Sequence, residues 1–183
     1  MLRNKMLGAM AAATLIVGAP AIAKTNPRVG GAAMYPNKTI VENASTTNNL
    51  TTLVTAVKAA GLVDTLSGPG PFTVFAPTDA AFKKLPAGTL DTLTRPENKA
   101  QLTNILTYHV VSGRMTAKDI AAAIRAGGGT ATLTTVQGEP LTAKMTGGRL
   151  ILTDAKGGTS MVSTKDVMQS NGVVHVIDTV LMP

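Results

Sequence analysis

The sequence contains no cysteine and no tryptophan, and its 183 residues include only two tyrosines, three phenylalanines and two histidines. Without cysteine the chain cannot form disulfides, thiolate metal sites or a cysteine nucleophile. The shortage of aromatic side chains argues against nucleic-acid binding, because proteins that bind single strands stack the bases on aromatic platforms. Stability must come from a packed core, which about 160 residues can form without covalent staples.

Acidic residues are also in short supply, with 10 of them against 17 Lys and Arg. Two of the basic residues, Arg3 and Lys5, lie in the N-terminal segment described next, so the rest of the chain has 15 basic residues and a net charge of +5. This excess favours acidic partners such as anionic polymers or surfaces, although a solvated basic surface is the simpler interpretation.

The first 23 residues have the pattern of a secretory signal peptide. A short basic start is followed by an apolar stretch from Met6 to about Gly18 and by the small-x-small ending Ala21-Ile22-Ala23. This order predicts cleavage after Ala23 and a secreted or periplasmic protein. No later run approaches the ~20 apolar residues of a membrane-spanning helix, so no transmembrane segment is expected after cleavage.

Residues 24–37 are rich in Pro, Gly and Asn and have little periodicity, which predicts an extended leader. Beyond it, Leu50, Leu53, Val54 and Val57 follow helical spacing, and Gly61 is expected to end that helix. A further helix is expected to start at Pro96 and run towards Val110, and a short helix is expected near Ile40. Thr116 and Asp119 resemble a capping box, which predicts a further helix after Thr116.

The segment "FTVFAP", residues 72–77, predicts a strand with Phe72, Val74 and Ala76 on one face and Thr73 and Phe75 on the other. Thr78 and Asp79 follow it at a natural helix N-cap. After Gly129 the sequence changes to short β-rich pieces separated by Gly-containing turns, which are expected to be antiparallel strands. Helices followed by strands indicate one α+β domain with a meander or sandwich-like sheet.

The two histidines, His109 and His175, lie in apolar runs, "ILTYHVV" and "GVVHVID". No Gly-x-Ser-x-Gly segment accompanies them, and their spacing matches no known metal motif. We therefore expect both to be buried and neutral, with their ring nitrogens bonded to backbone or hydroxyl groups. No catalytic residue, metal site or cofactor is predicted, and a hydrolase would require a Ser, a His and a carboxylate that converge at a cleft.

Three segments together resemble the fasciclin domain: "GPFTVFAPTDAAFKKLP", "ILTYHVVSGRM" and "NGVVHVIDTVLMP". The resemblance covers residues 38–183 as one domain and implies a twisted β-sheet wedge or sandwich with helices packed along one side. The residues that carry it are expected to be structural: Thr73, Phe75, Pro77, Thr78, Asp79, Phe82, His109, Asn171, Gly172, His175 and Asp178.

The resemblance implies cell adhesion, or binding of cell-surface or extracellular proteins or polysaccharides, without enzymatic activity. In animal members, receptor contact is associated with positions that match Tyr108, His109, Asp166 and Val167 here. In the segment around Asp166 and Val167, this chain differs from the family pattern at Thr164, Val167 and Met168. Some algal members resemble carotenoid carriers, so an alternative is a carrier of an apolar molecule such as a carotenoid or lipid.

Overall fold

The computed structural model describes residues 26–183, and the predicted signal peptide and its cleavage site lie outside the described residues. Seven α-helices are present in this range: α1 (Ile40–Ser45), α2 (Thr51–Ala60), α3 (Val63–Ser67), α4 (Asp79–Lys83), α5 (Thr89–Leu93), α6 (Lys99–Tyr108) and α7 (Ala117–Ala126). The nine strands are β1 (Arg28–Val29), β2 (Ala32–Ala33), β3 (Phe72–Pro77), β4 (Val110–Ser112), β5 (Thr130–Thr134), β6 (Pro140–Thr146), β7 (Arg149–Thr153), β8 (Thr159–Gln169) and β9 (Gly172–Ile177).

Seven of the strands form one sheet in the order β4-β3-β9-β8-β7-β6-β5. All neighbours pair antiparallel except β3 and β9, which run parallel. The sheet curls until its two edges meet, where Val111 of β4 bridges to Thr135 just beyond β5. The predicted α+β class and sandwich-like sheet are confirmed, whereas the parallel pair was not expected from the sequence.

The strand β3 separates two hydrophobic cores. Val74 and Ala76 pack with α1, α2 and α6 in one core, and Phe75 packs in the other, inside the curled sheet. The predicted alternation of "FTVFAP" is therefore confirmed, and it follows from the two-residue period of a strand. Because both faces of β3 are covered, five of its six residues are buried.

Several predicted helix ends are present. Gly61 ends α2 with a left-handed φ of 74°, which glycine adopts without strain. Thr116 and Asp119 form the predicted capping box of α7. The helix expected from Pro96 starts with a 3₁₀ turn, Pro96–Asn98, before α6.

Asp79 does not cap its own helix, α4, as the sequence predicted. Thr78 caps α4 by accepting a hydrogen bond from the Ala81 N–H. The Asp79 carboxylate instead accepts from Thr51 Oγ1 at 2.7 Å and from Thr52 N–H at 2.8 Å, at the start of α2. Because α2 has no side-chain cap of its own, Asp79 supplies one from a distant part of the sequence.

The predicted leader contains the β1–β2 hairpin and packs against the domain. Val29 and Met34 are buried in the first core, and the Tyr35 N–H donates to Asn43 Oδ1 at 3.0 Å. At least from Val29 onwards this segment is therefore part of the packed structure. Among residues 26–183, none of the helices combines the length and the hydrophobicity of a membrane-spanning segment.

Candidate functional site

His175 lies on β9 with none of its surface exposed. Its Nδ1 accepts from the Asp166 N–H at 3.3 Å, so Nε2 carries the proton and donates to Met115 O at 2.9 Å. The ring stacks on Phe75, with the centroids 5.5 Å apart. Burial lowers the pKa of His175, which keeps the ring neutral, and both nitrogens are engaged by backbone groups.

His109, at the C-terminal end of α6, has a similar environment. Its Nε2 accepts from the Leu181 N–H at 3.0 Å, and its Nδ1–H donates to Ile105 O at 2.7 Å. Burial lowers the pKa of His109 from 6.5 to about 4. This ring joins α6 to the C-terminal segment, and neither of its nitrogens is available to a ligand.

Tyr108, one of the predicted contact residues, is also completely buried. Its phenol oxygen donates to Pro140 O at 3.0 Å and accepts from the Ala155 N–H at 3.1 Å. Burial raises the pKa of this phenol. The side chain thereby links α6 to β6 and to the turn after β7.

Asp166 and Val167, the other predicted contact pair, lie at an irregular point of β8. Asp166 has a positive φ of 58°, and its Oδ1 accepts from the Ala117 N–H at the start of α7, at 2.6 Å. Val167 is fully buried. Of the four predicted contact residues, only Asp166 is partly exposed, because Tyr108, His109 and Val167 all lie in the interior. A partner cannot reach those three in this conformation.

Asn171 and Gly172 join the helices to the sheet at the start of β9. The Asn171 side chain accepts from the Ile40 N–H at 3.1 Å and donates to Leu66 O and Gly68 O at 2.6 and 3.0 Å. At Gly172 a Cβ would lie 2.0 Å from Phe72 O, so this position has room only for glycine. The parallel β3–β9 pair thus depends on the absence of a side chain here.

Further motif residues also bond mainly to backbone groups. Thr73 Oγ1 donates to Gly113 O at 2.6 Å and accepts from the Met115 N–H at 2.9 Å. Asp178 accepts from the Met161 N–H at 2.8 Å. Burial would raise the pKa of Asp178, but this hydrogen bond and those from nearby hydroxyls lower it overall. Pro77 ends β3, and Phe82 of α4 packs in the first core.

This arrangement of motif residues is suited to holding backbone segments together. Within residues 26–183, no group of three or more His, Cys, Asp or Glu residues could hold a metal ion. Because backbone groups occupy both nitrogens of each imidazole, neither histidine is positioned to activate a serine.

Two enclosed apolar cavities in the described part of the chain are small. One of about 30 Å³ lies between α1, α2 and β3, and another of about 20 Å³ lies beneath the β1–β2 hairpin. Pockets that hold drug-sized apolar ligands are roughly 300 to 1,000 Å³. Neither of these two cavities is large enough to hold a carotenoid or a lipid.

A partly exposed polar surface, which sequence reasoning did not single out, lies on the outer side of β5–β8, where Thr132 and Thr159 are exposed and Thr142 and Thr153 are half-buried. Thr132, Thr142, Thr153 and Thr159 are paired across four adjacent strands in a single row. We call the outward side chains of β5–β8 the threonine face. The sequence indicated part of this face through the alternation in "TATLT", whose three threonines are exposed while the residues between them are buried.

Comparisons with known proteins agree with the fold. A sequence model of the Fasciclin domain matches residues 48–183. Protein sll1483 of Synechocystis sp. is 48% identical over 155 residues, which cover 85% of this chain and 79% of that protein. The cell surface glycolipoprotein MPB83 of Mycobacterium bovis is 38% identical over 160 residues, which cover 85% of this chain and 64% of that protein.

A solved structure of a FAS1 domain pair, from the insect cell adhesion molecule Fasciclin I, is similar with a TM-score of 0.71 and 22% sequence identity. The match covers 81% of this chain and 52% of that chain, so the present chain spans about half the length of the domain pair. At this level of identity the likeness shows the fold alone.

Proposed function

The chain belongs to the fasciclin domain family, and on that premise we propose that it is an exported, non-enzymatic module that binds proteins or polysaccharides at a cell surface. The observation that carries this proposal is the placement of the family's polar motif residues. Thr73, His109, Asn171 and His175 are buried, and their side chains bond to backbone groups, whereas exposed side chains on β5–β8 can contact other molecules.

A binding role is favoured over catalysis by the chemistry of the two histidines. A general base needs an imidazole nitrogen that can accept a proton near neutral pH. Burial lowers the pKa of both His109 and His175, and backbone groups occupy their nitrogens. The imidazoles of His109 and His175 are therefore neutral, and their nitrogens are hydrogen-bonded to backbone groups.

Export is supported by the predicted signal peptide and by the name of a similar protein. One relative, which is 38% identical, is named a cell surface glycolipoprotein. The absence of cysteine from the sequence also means that folding after export requires no disulfide formation.

The experiment that tests this proposal uses the full chain with a C-terminal tag, produced in its own organism. We expect the mature protein to begin at Lys24 by N-terminal sequencing and to be found outside the cytoplasm. Purified mature protein should also bind to washed cells in a saturable manner.

Two results would overturn the proposal: an uncleaved protein that stays in the cytoplasm, or a folded mature protein that does not bind to cells. The purified protein should also be extracted with solvent and analysed by absorbance and mass spectrometry. A stoichiometric polyene or lipid would replace the binding role with the carrier role.

A further inference from the structure

The threonine face is basic, and its cationic side chains are exposed. Lys144 of β6, Arg149 of β7 and Lys165 of β8 are all exposed. Asp166 is the only acidic residue within these four strands, and its carboxylate is engaged by the Ala117 N–H. The face therefore has three cations with no free carboxylate on the same strands to neutralise them.

A cleft opens at one end of this face, where β8 stops pairing with β7 and pairs with β9. β8 pairs with β7 only from Thr159 to Met161, and from Val162 onwards it pairs with β9. The cleft has a volume of about 420 Å³, and both Arg149 and Lys165 line it. Two cationic residues thus border a space large enough for a charged group and its neighbours.

The threonine row crosses the same face beyond the Ile151–Met161 pair, with Thr153 four residues along β7 from Arg149, and it offers both donors and acceptors. Each hydroxyl can donate one hydrogen bond and accept two, as the hydroxyl groups of a sugar do. Branching at Cβ restricts the rotamers of threonine, so the hydroxyls are ordered before a ligand arrives. Adjacent strands lie about 4.8 Å apart, which makes the row a regular series of hydroxyls across the sheet.

The composition of the face distinguishes between classes of macromolecule. Protein interfaces are enriched in aromatic residues at their centre, and single-stranded nucleic acids stack on aromatic platforms. The strands β5–β8 contain no Phe, Tyr or Trp. Ile151 and Met161 are the large apolar side chains near the middle of the face, and both are only partly exposed.

We propose that the threonine face binds an anionic polysaccharide, with Arg149 and Lys165 holding a carboxylate or sulfate in the cleft and the threonine row contacting the sugar hydroxyls. This inference rests on the proposed surface-binding function and names its partner class. Arginine suits the role because its planar guanidinium donates two parallel hydrogen bonds to a carboxylate or sulfate.

The first test measures binding of the mature protein to dextran sulfate, to polygalacturonate and to uncharged dextran by surface plasmon resonance. We expect saturable binding to the two charged polymers, weakened by NaCl, and no binding to dextran. The triple variant Lys144→Gln, Arg149→Gln, Lys165→Gln should bind about tenfold more weakly. This is the loss of affinity expected when three exposed ion pairs are removed.

A matched control removes the same charge from the helical side through Lys58→Gln, Lys83→Gln and Arg95→Gln, all at exposed positions. We expect this variant to bind like the wild type. An equal loss in the control would show that net charge alone drives binding and would overturn the proposed site. Urea unfolding of both variants should show that each remains folded.

A second variant separates sugar recognition from simple charge attraction. Thr142→Val with Thr153→Val removes two hydroxyls of the row and keeps a β-branched side chain in each strand. We expect weaker binding to polygalacturonate and unchanged binding to poly-L-glutamate, which has carboxylates but no hydroxyls. Equal binding of the variant and the wild type to polygalacturonate would overturn the polysaccharide assignment.

The two proposals fail in different ways. A wild-type protein that binds cells but no anionic polysaccharide would overturn this inference and leave the surface-binding function intact. A protein that is not exported would overturn the proposed function, whichever polymers it binds in vitro.

Discussion

The interior motif residues and the threonine face are two polar regions built on the same sheet, and they differ in what their polar atoms contact. In the interior, Asn171, His175 and Tyr108 are buried and bond to backbone groups from distant segments. On the threonine face, Thr132 and Lys144 point to solvent. A motif can therefore identify a family through residues that build its fold, while binding depends on residues outside the motif.

This difference predicts opposite responses to mutation. A buried polar group that loses its partner costs about 1 to 3 kcal/mol, whereas substitutions at exposed sites usually change stability by about 0.5 kcal/mol or less. Substitutions in the interior should therefore lower the free energy of unfolding, whereas substitutions on the threonine face should weaken binding.

Gly172→Ala is expected to have the largest effect. The new Cβ would lie 2.0 Å from Phe72 O, a backbone atom of the parallel neighbour strand, which cannot move away without breaking the β3–β9 pair. We expect no folded protein by circular dichroism. Ser170→Ala, at the exposed position two residues before, is the control. A soluble Gly172→Ala protein with wild-type stability would contradict the close approach.

His175→Ala should reduce the free energy of unfolding by roughly 3 kcal/mol. The change leaves a cavity against Phe75 and removes the partners of Met115 O and the Asp166 N–H. Urea unfolding measures this loss. A variant that keeps wild-type stability but no longer binds to cells would show that His175 serves binding instead.

Acid should destabilise the protein through the histidines before it affects the carboxylates. Since burial lowers the pKa of His109 from 6.5 to about 4, the unfolded chain takes up a proton in this range and the folded chain does not. The free energy of unfolding should therefore fall as the pH decreases from 6.5 to 4, by about 3 kcal/mol from His109. His175, whose pKa is lowered as well, adds to the loss.

Urea unfolding at a series of pH values between 7.5 and 4 measures this dependence. His109→Gln should be less stable at pH 7.5 and should show a smaller change with pH, because one titrating group is gone. Asp79 and Asp178, whose pKa values are lowered from 3.8, lose their contribution only below this range. A free energy of unfolding that is constant from pH 6.5 to 4.5 would contradict the burial of His109 as a neutral ring.

Tyr108→Phe should cost about 1 to 2 kcal/mol of stability, because the ring stays in place while Pro140 O and the Ala155 N–H lose their partner. Binding to cells should be unchanged. Tyr35→Phe is a suitable control, since that side chain is exposed. Weaker binding to cells by a fully stable Tyr108→Phe protein would restore this residue to the contact surface.

Thr153→Val should have the smallest effect on stability, within about 0.5 kcal/mol of the wild type, because the site is on the outer face and valine also favours strands. Urea unfolding checks this. A loss as large as that of His175→Ala would remove the contrast between the two regions.

Much of the fold could be predicted from the sequence because its signals are local. The spacing of Leu50, Leu53 and Val57 predicted α2, and Gly61 predicted its end. The alternation in "FTVFAP" predicted β3 with two covered faces. The short elements α3, α5 and β4 were not predicted, since three to five residues have too few positions to establish a period.

The burial of three of the predicted contact residues could not be predicted from the sequence. The segment "TYHVV" identifies the family, but nothing local to it shows that Tyr108 reaches Pro140 O or that His109 reaches the Leu181 N–H. The threonine row was visible only in part, because the pairing of Thr132 with Thr142, Thr153 and Thr159 depends on the register of four strands.

The α+β class, the family and the helix ends at Gly61 and Thr116 could be inferred from the sequence, because each depends on patterns within short segments. The parallel pairing of β9 with β3, the capping of α2 by Asp79 and the burial of particular polar residues became evident only from the folded structure. These features join segments separated by tens of residues, and burial is a property of the folded chain as a whole. The solvent exposure that makes the threonine face a candidate binding surface arises in the same way.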